Sequence, residues 1–301
     1  MKLYVLGCYS ATPRAYTNPT AQVLNIKNHL FLIDCGEGTQ VELRRLKVKF
    51  ARIKHIFISH LHGDHFFGLP GLITTFRLLG REAPLHIYGP KGLKEAMTLM
   101  LKLGNSWTNY PLIFHELESK TSQCIFEDEK VEVFTVPLDH RIYTNGFLFR
   151  EKPGERKLNV AAAEAYGVDT CYFRNIKLGK DVPLEDGTVI PNAELSFDPN
   201  PVRSYAFCSD TRYNESIIPL IKGADWLYHE ATFQDVHKEL ARATGHSTAK
   251  EAATIARKAE VKKLILGHYS TRYDDLEKFR EEALDIFENT ELAEDGKVFT
   301  D

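Results

Sequence analysis

Ser59-His60-Leu61-His62-Gly63-Asp64-His65 sets four metal-binding side chains within six positions, at the end of the apolar run His55–Ser59. At this chain's histidine and aspartate frequencies, the pattern H-x-H-x-D-H arises by chance in about one such chain in a thousand. Its spacing has a physical reading. Residues two apart in an extended segment point to the same side, so His60 and His62 can share one metal ion. Gly63 permits a sharp turn, after which Asp64 and His65 can address a second ion nearby. Imidazole and carboxylate together suit zinc, ahead of manganese or iron.

Two cations need further ligands, and other apolar runs end on them. His140 follows the run Val131–Val136, Asp210 follows Ser204–Cys208, and His268 follows Lys263–Leu266. All three stand where a strand gives way to a loop, which is where α/β sheets place functional groups. Strands are also expected over Lys2–Leu6, Ala21–Ile26, Leu30–Asp34, His55–Ser59, Leu85–Tyr88 and Trp226–His229. Val131–Val136 and Thr144–Phe149 read as an antiparallel pair. Helices are expected over Thr39–Leu46, Gly68–Leu79, Lys91–Leu103, Ser247–Lys258 and Leu276–Phe287, with Ser247 and Asp274 or Asp275 as N-caps. Strands interleaved with helices throughout imply an α/β architecture.

The 301 residues are 43% hydrophobic and 26% charged, which excludes a disordered or fibrous chain. Thirty-eight Lys and Arg against 41 Asp and Glu give a net charge of -3, so a globally basic nucleic-acid binder is excluded, although a local basic patch is not. No apolar stretch is long enough to span a bilayer and none opens the chain as a leader, so no membrane is expected. Five scattered cysteines without a C-x-x-C fit a reducing cytoplasm.

Between Arg150 and Arg203 the regular alternation lapses. That stretch holds one short helix (Val160–Tyr166), a hairpin around Glu185-Asp186-Gly187 and many turn formers. It reads as an insertion protruding from a compact core.

The longer run Ser59–Leu72 resembles the ribonuclease Z family, the tRNA 3′-processing endonucleases of the metallo-β-lactamase fold. Ser209-Asp210-Thr211-Arg212, His229-Glu230-Ala231-Thr232, Gly245-His246-Ser247 and Gly267-His268-Tyr269-Ser270-Thr271-Arg272-Tyr273 agree with it in order and spacing. The resemblance implies one domain over residues 1–301, a four-layer αβ/βα sandwich, with 151–202 inserted as an arm that grips the tRNA body. It implies precursor tRNA as substrate and a cytoplasmic homodimer. It also implies two Zn²⁺ per chain (Mn²⁺ or Fe²⁺ in their place), with His60, His62 and His140 on one ion, Asp64, His65 and His268 on the other, and Asp210 bridging. The chain departs from the family twice. The first strand is followed by Gly7-Cys8-Tyr9-Ser10-Ala11-Thr12-Pro13 rather than a Gly-rich turn, and Gly167–Phe173 lacks the Gly-Pro of the arm tip.

Roles follow from that assignment. Asp64 is the proton acceptor for the attacking water. His246 is free of ligand duty and can protonate the departing 3′ oxygen, with Glu230 holding its imidazole and raising its pKa. Arg212 and Arg272, with the Ser270 and Thr271 hydroxyls, can clamp phosphate, or else form surface salt bridges. Asp34 either orients a ligand histidine or caps the turn Gly36–Gly38. Cys208 reads as a buried apolar residue. Another hydrolase of the same fold, acting on a small phosphodiester, thioester or lactone, is the alternative. A binding protein that has lost catalysis is disfavoured because all seven ligand candidates are present.

Overall fold

The computed structural model describes residues 1–12 and 14–301; Pro13, which closes the run after the first strand in the sequence, lies outside the described residues. Backbone packing divides the chain into a larger unit (Met1–Glu127, Val131–Arg150, Arg203–Asp301) and a smaller one (Asp128–Lys130, Glu151–Val202).

The larger unit holds two seven-stranded sheets. In the first, neighbours run Val298–Thr300, Lys2–Gly7, Ala21–Ile26, His29–Ile33, His55–Phe57, Leu85–Pro90, Leu112–Leu117. In the second they run Thr290–Leu292, Lys263–Gly267, Trp226–Glu230, Ser204–Cys208, Asn145–Glu151, Val131–Pro137, Cys124–Glu127. Several strands that lead into the site run parallel to at least one neighbour: Phe31 to Ile33 pair with His55 to Phe57, and Cys208 pairs with His229 and His229 with Leu266, while Ser204–Cys208 is antiparallel to Asn145–Glu151 on its other side. Successive side chains divide between two cores, as the period of a strand requires. Phe31, Ile33 and Phe57 join Phe147, Phe149, Tyr205 and Phe207 in one apolar cluster. Leu30, Leu32, Ile56 and Ile58 join a second cluster with Leu69, Leu72, Ile73 and Phe76 of the helix Leu69–Leu78.

Within these two sheets four strands were not expected from the sequence: Leu112–Leu117, Cys124–Glu127, Thr290–Leu292 and Val298–Thr300. Each of them ends a sheet, and the last is held against Lys2–Tyr4 by pairing across almost the whole chain. The helix expected from Ser247 starts later, as Ala249–Lys258. Thr248 is its N-cap, in a reciprocal capping box with Glu251. Ser247 is unavailable for that role because its N–H donates to Glu230 and its hydroxyl to the Thr211 carbonyl. Asp275 does act at the start of the helix Glu277–Leu284, accepting the Glu277 N–H at 2.9 Å.

The smaller unit is more structured than its sequence suggests. Its helix Val160–Ala165 is N-capped by Asn159, and two more short helices follow, Phe173–Lys177 and Asn192–Leu195. Val182–Pro183 pairs with Val189–Ile190 around Glu185-Asp186-Gly187. Ala163, Val168, Ile176, Val182, Ile190 and Leu195 form its own small core.

Candidate metal centre

Asp34 (φ 54°), Asp210 (φ 64°) and His268 (φ 59°), which follow strands that lead into the site, adopt left-handed backbone. Such conformations cost on the order of 1–3 kcal/mol each and persist where packing over-determines them, most often at functional sites. Here the flanking strands lie in the cores. The kink at each strand end turns Asp210 and His268 toward one another, so that His268 Nε2 lies 3.1 Å from Asp210 Oδ1.

The seven expected ligands converge in two groups. His60 Nε2, His62 Nδ1 and His140 Nε2 form the first: His60 and His62 are 2.9 Å apart, His62 and His140 3.4 Å. Asp210 Oδ2 lies 3.5 Å from His60 Nε2 and 3.6 Å from His140 Nε2. The second group is Asp64 Oδ2, His65 Nε2 and His268 Nε2, with 3.4 Å from His65 to Asp64 and 3.6 Å from His268 to Asp64. Asp210 presents its other oxygen, Oδ1, to this group, 3.2 Å from His65 Nε2. One carboxylate thus faces both groups with different oxygens. His246 also brings a ring nitrogen within 4.8 Å of the Asp210 and His268 donors.

Donors around a tetrahedral ion bound at about 2.0–2.1 Å should stand about 3.3 Å from each other, which these separations bracket. Among the described residues the buried Nε2 atoms of His65 and His268 have no hydrogen-bond partner, as expected of lone pairs reserved for a cation. Burial pushes His60, His62 and His140 below the ordinary imidazole range, leaving them neutral and able to ligate. Burial also opposes charge on His65, but Asp210, Asp64 and Asp34 outweigh it and hold that ring above its usual value.

The far side of four of the five rings is fixed. Asp34 Oδ2 accepts from His65 Nδ1 at 2.7 Å, and the same carboxylate accepts the Ser59 N–H and hydroxyl. Asp34 therefore orients a histidine, and none of its hydrogen bonds reaches the Gly36–Gly38 turn. The Ser59 hydroxyl also meets His60 Nδ1 at 3.0 Å. His140 Nδ1 donates to the Gly245 carbonyl at 2.7 Å. His268 Nδ1 donates to the Thr232 hydroxyl at 2.8 Å, and that hydroxyl donates onward to Glu230 Oε2 at 2.6 Å. These contacts set the tautomers that aim Nε2 inward. Two glycines keep the approach open. Gly245 (φ 86°) leaves room for His140, whose Nδ1 would meet an added Cβ at 2.9 Å. Gly63 is not the sharp turn that its position suggested. It begins the short helix Gly63–Phe66, and the Phe67 ring packs so flat on it that a Cβ would meet that ring at 2.3 Å.

Beside the centre, His246 Nδ1 donates to Glu230 Oε1 at 2.9 Å. Glu230 is wholly buried, and also accepts N–H bonds from Thr211 (2.8 Å), Thr232 (3.2 Å) and Ser247 (3.1 Å). Burial works against a charge on His246, but the Glu230 carboxylate overrides it and lifts the imidazole to about 9. The four phosphate-clamp candidates are placed less decisively. Arg212 pairs with Asp139 at 3.1 Å and donates from Nε to the Arg242 carbonyl. Arg272 donates from Nε to Ser270 Oγ at 3.3 Å and lies over the Phe233 ring, while Ser270 and Thr271 are half-buried. Burial pushes the Cys208 thiol far up, as befits an apolar residue.

With this geometry in view, relatives can be compared. A protein-family model described as Anti-Pycsar protein Apyc1 matches residues 1–146. A ribonuclease Z of Bacteroides thetaiotaomicron is 47% identical over 299 residues, 99% of this chain and 95% of that protein. One of Porphyromonas gingivalis is 45% identical over 97% of this chain and 96% of its own. The chain belongs to the ribonuclease Z family. Among solved structures, the short form of human tRNase Z aligns with a TM-score of 0.74 at 30% identity, covering 100% of this chain and 99% of that one. The metallo-β-lactamase fold protein YhfI of Bacillus subtilis aligns at 0.69 and 19% identity over 99% of both chains, a likeness of fold alone. The fold is thus the metallo-β-lactamase fold, shared with ribonuclease Z. Thr232, Ser59 and Gly245 lie within the sequence motifs, but residue type and spacing assign them no task. Their ring-orienting hydrogen bonds follow from the fold, and no spacing announces them.

Proposed function

We propose that this ribonuclease Z family member is a zinc-dependent endoribonuclease that removes the 3′ trailer from precursor tRNA, leaving a 3′-OH on the tRNA and a 5′-phosphate on the trailer. The observation that carries the reading is Asp210, which offers one oxygen to each of two three-residue groups beside the His246–Glu230 pair. His60, His62 and His140 would hold one Zn²⁺, Asp64, His65 and His268 the other, and Asp210 both. When bound, such a pair of cations acidifies water and neutralises the charge of a phosphodiester, as Mn²⁺ or Fe²⁺ also could.

The chain's own side chains do the rest. Asp64 has a second carboxylate oxygen with which to orient and deprotonate the attacking water. His246 is protonated at neutral pH, its Nδ1–H is committed to Glu230, and its Nε2–H is left to donate to the leaving 3′ oxygen. Arg212, Ser270, Thr271 and Arg272 are proposed to contact phosphates. The segment 151–202 is proposed to bind the tRNA body. A homodimer is supported by the exposed Leu78, Leu79, Leu99, Leu103 and Trp107, which lie on or just after two helices that pack together, Leu69–Leu78 and Leu93–Leu103. Five free thiols and a tRNA substrate suit the cytoplasm. No helix among the described residues is long and apolar enough to cross a membrane.

Stripping the metal and titrating Zn²⁺ back tests the centre. Cleavage of a 3′-extended tRNA should return with two bound equivalents per chain. Full activity at one equivalent would defeat the dinuclear assignment. Turnover of a small phosphodiester, thioester or lactone with no cleavage of the tRNA would favour the alternative hydrolase.

A further inference from the structure

Residues 43–54 read Leu-Arg-Arg-Leu-Lys-Val-Lys-Phe-Ala-Arg-Ile-Lys, with six Lys or Arg and no Asp or Glu. Lys and Arg are 38 of the 301 residues, so twelve residues hold about one or two on average. The excess is sharper because the chain as a whole is net -3. The segment expected to grip the tRNA is not the source of positive charge either. Residues 151–202 carry six Lys and Arg against nine Asp and Glu, a balance of -3. Within that segment Arg156 is further tied to Asp198 at 2.6 Å.

The run 43–54 is a built face rather than a loose loop. Leu43, Val48 and Ile53 are buried in the core beneath the first sheet, while Arg44, Arg45, Lys47, Lys49, Arg52 and Lys54 are all exposed. Main-chain bonds lock the turns: Val48 N–H to the Leu43 carbonyl, Arg52 N–H to Lys49, and Ile53 N–H to Phe50. Arg44 lies over the Phe50 ring, with its guanidinium carbon 5.3 Å from the ring centre, and Arg52 donates to the Asn28 carbonyl at 2.8 Å. Of the six, Arg45 alone has a carboxylate partner among the described residues, Glu42. Five cations on a rigid support are thus left without a counter-charge among those residues.

We propose that this face is the main electrostatic anchor for the RNA, binding the phosphate backbone of the precursor tRNA at a distance from the cut. The proposal rests on the tRNA-processing reading of the site. Lys54 leads into the strand His55–Phe57 and His60 follows its other end, so six extended residues separate face and centre by about 20 Å. Phosphates follow one another every few ångströms along a stem, so a stem lying across that distance offers several to the face, and lysines there neutralise them without reading sequence.

The test is the salt dependence of kcat/KM on a 3′-extended tRNA, between about 50 and 200 mM KCl, for wild type and the K47Q/K49Q/K54Q variant. Each phosphate contact removed lowers the log–log slope by about one, so the triple variant should lose about two to three units of slope. Hydrolysis of bis(p-nitrophenyl) phosphate should be unchanged. The K47R/K49R/K54R variant should keep the wild-type slope. If the wild-type protein does not cut the tRNA, the functional reading fails. If it cuts and the glutamine variant retains the wild-type slope, the anchor is refuted. Should the triple variant fold poorly, single K49Q and K54Q variants, each expected to lower the slope by about one, carry the same decision.

Discussion

Replacing Glu230 by glutamine should convert a pH-insensitive step into a pH-sensitive one. In the native site the Glu230 carboxylate holds His246 at about 9 against the burial that opposes its charge. Glutamine keeps the size but removes the charge, so the ring falls back toward its ordinary 6.5, with burial and Arg141 opposing its charge and Asp210 still favouring it. That drop is worth about 3 kcal/mol of preference for the imidazolium. At pH 8 a group of pKa 9 is about nine-tenths protonated and one of 6.5 about 3%. The variant's rate on precursor tRNA should therefore fall about 30-fold or more at pH 8 and only slightly at pH 6. The sign is fixed by the direction of the shift: the donating form is lost as pH rises through the site's pKa, and the mutation moves that loss downward. With bis(p-nitrophenyl) phosphate, whose leaving group departs without a proton, the defect should nearly vanish. The introduced side-chain amide also turns an N–H toward backbone donors such as that of Thr211, costing about 1–3 kcal/mol of stability, so metal content and melting temperature must be followed in parallel. A defect of equal size at pH 6 and pH 8, with metal retained, would refute the proton-donor role.

Four other outcomes are expected. His246→Ala should lower kcat on precursor tRNA by about 10²–10⁴-fold with metals still bound, and the p-nitrophenyl diester much less, as measured by paired steady-state assays. Asp210→Ala should lose more metal by elemental analysis than any single histidine change, because that carboxylate alone faces both groups, while Asp34→Ala should weaken only the group containing His65. Gly245→Ala should destabilise the fold by about 1–2 kcal/mol through its left-handed backbone, and displace His140 so that metal content falls as well.

The residues proposed as metal ligands were legible because their chemistry is concentrated. Four of them lie within six consecutive positions, and His140, Asp210 and His268 each follow a clear apolar run. What fixes them in place was not legible. The left-handed backbone of Asp34, Asp210 and His268 leaves no compositional trace, since both residue types serve elsewhere in ordinary conformations. Ser247 is by type the better cap than Thr248, and only the pull of Glu230 and Thr211 on Ser247 reverses that preference. The edge strands Thr290–Leu292 and Val298–Thr300 are three residues long, too short to show a period. In the smaller unit, five of the six core residues are spread over elements of two to six residues and Val168 lies between elements, so no window contains a repeat. Residues 43–54 were plain in the sequence, but their charge gains meaning from the burial of Leu43, Val48 and Ile53 beneath them.

The most direct measurement is to incubate the zinc-loaded protein with a 3′-extended tRNA and determine the ends of both products. Cleavage at the junction of tRNA and trailer, with a 3′-OH on the tRNA and a 5′-phosphate on the trailer, is the predicted result. A cyclic or 3′-phosphate end on the tRNA, or an intact tRNA under conditions where the same protein hydrolyses a small ester or diester, would contradict it.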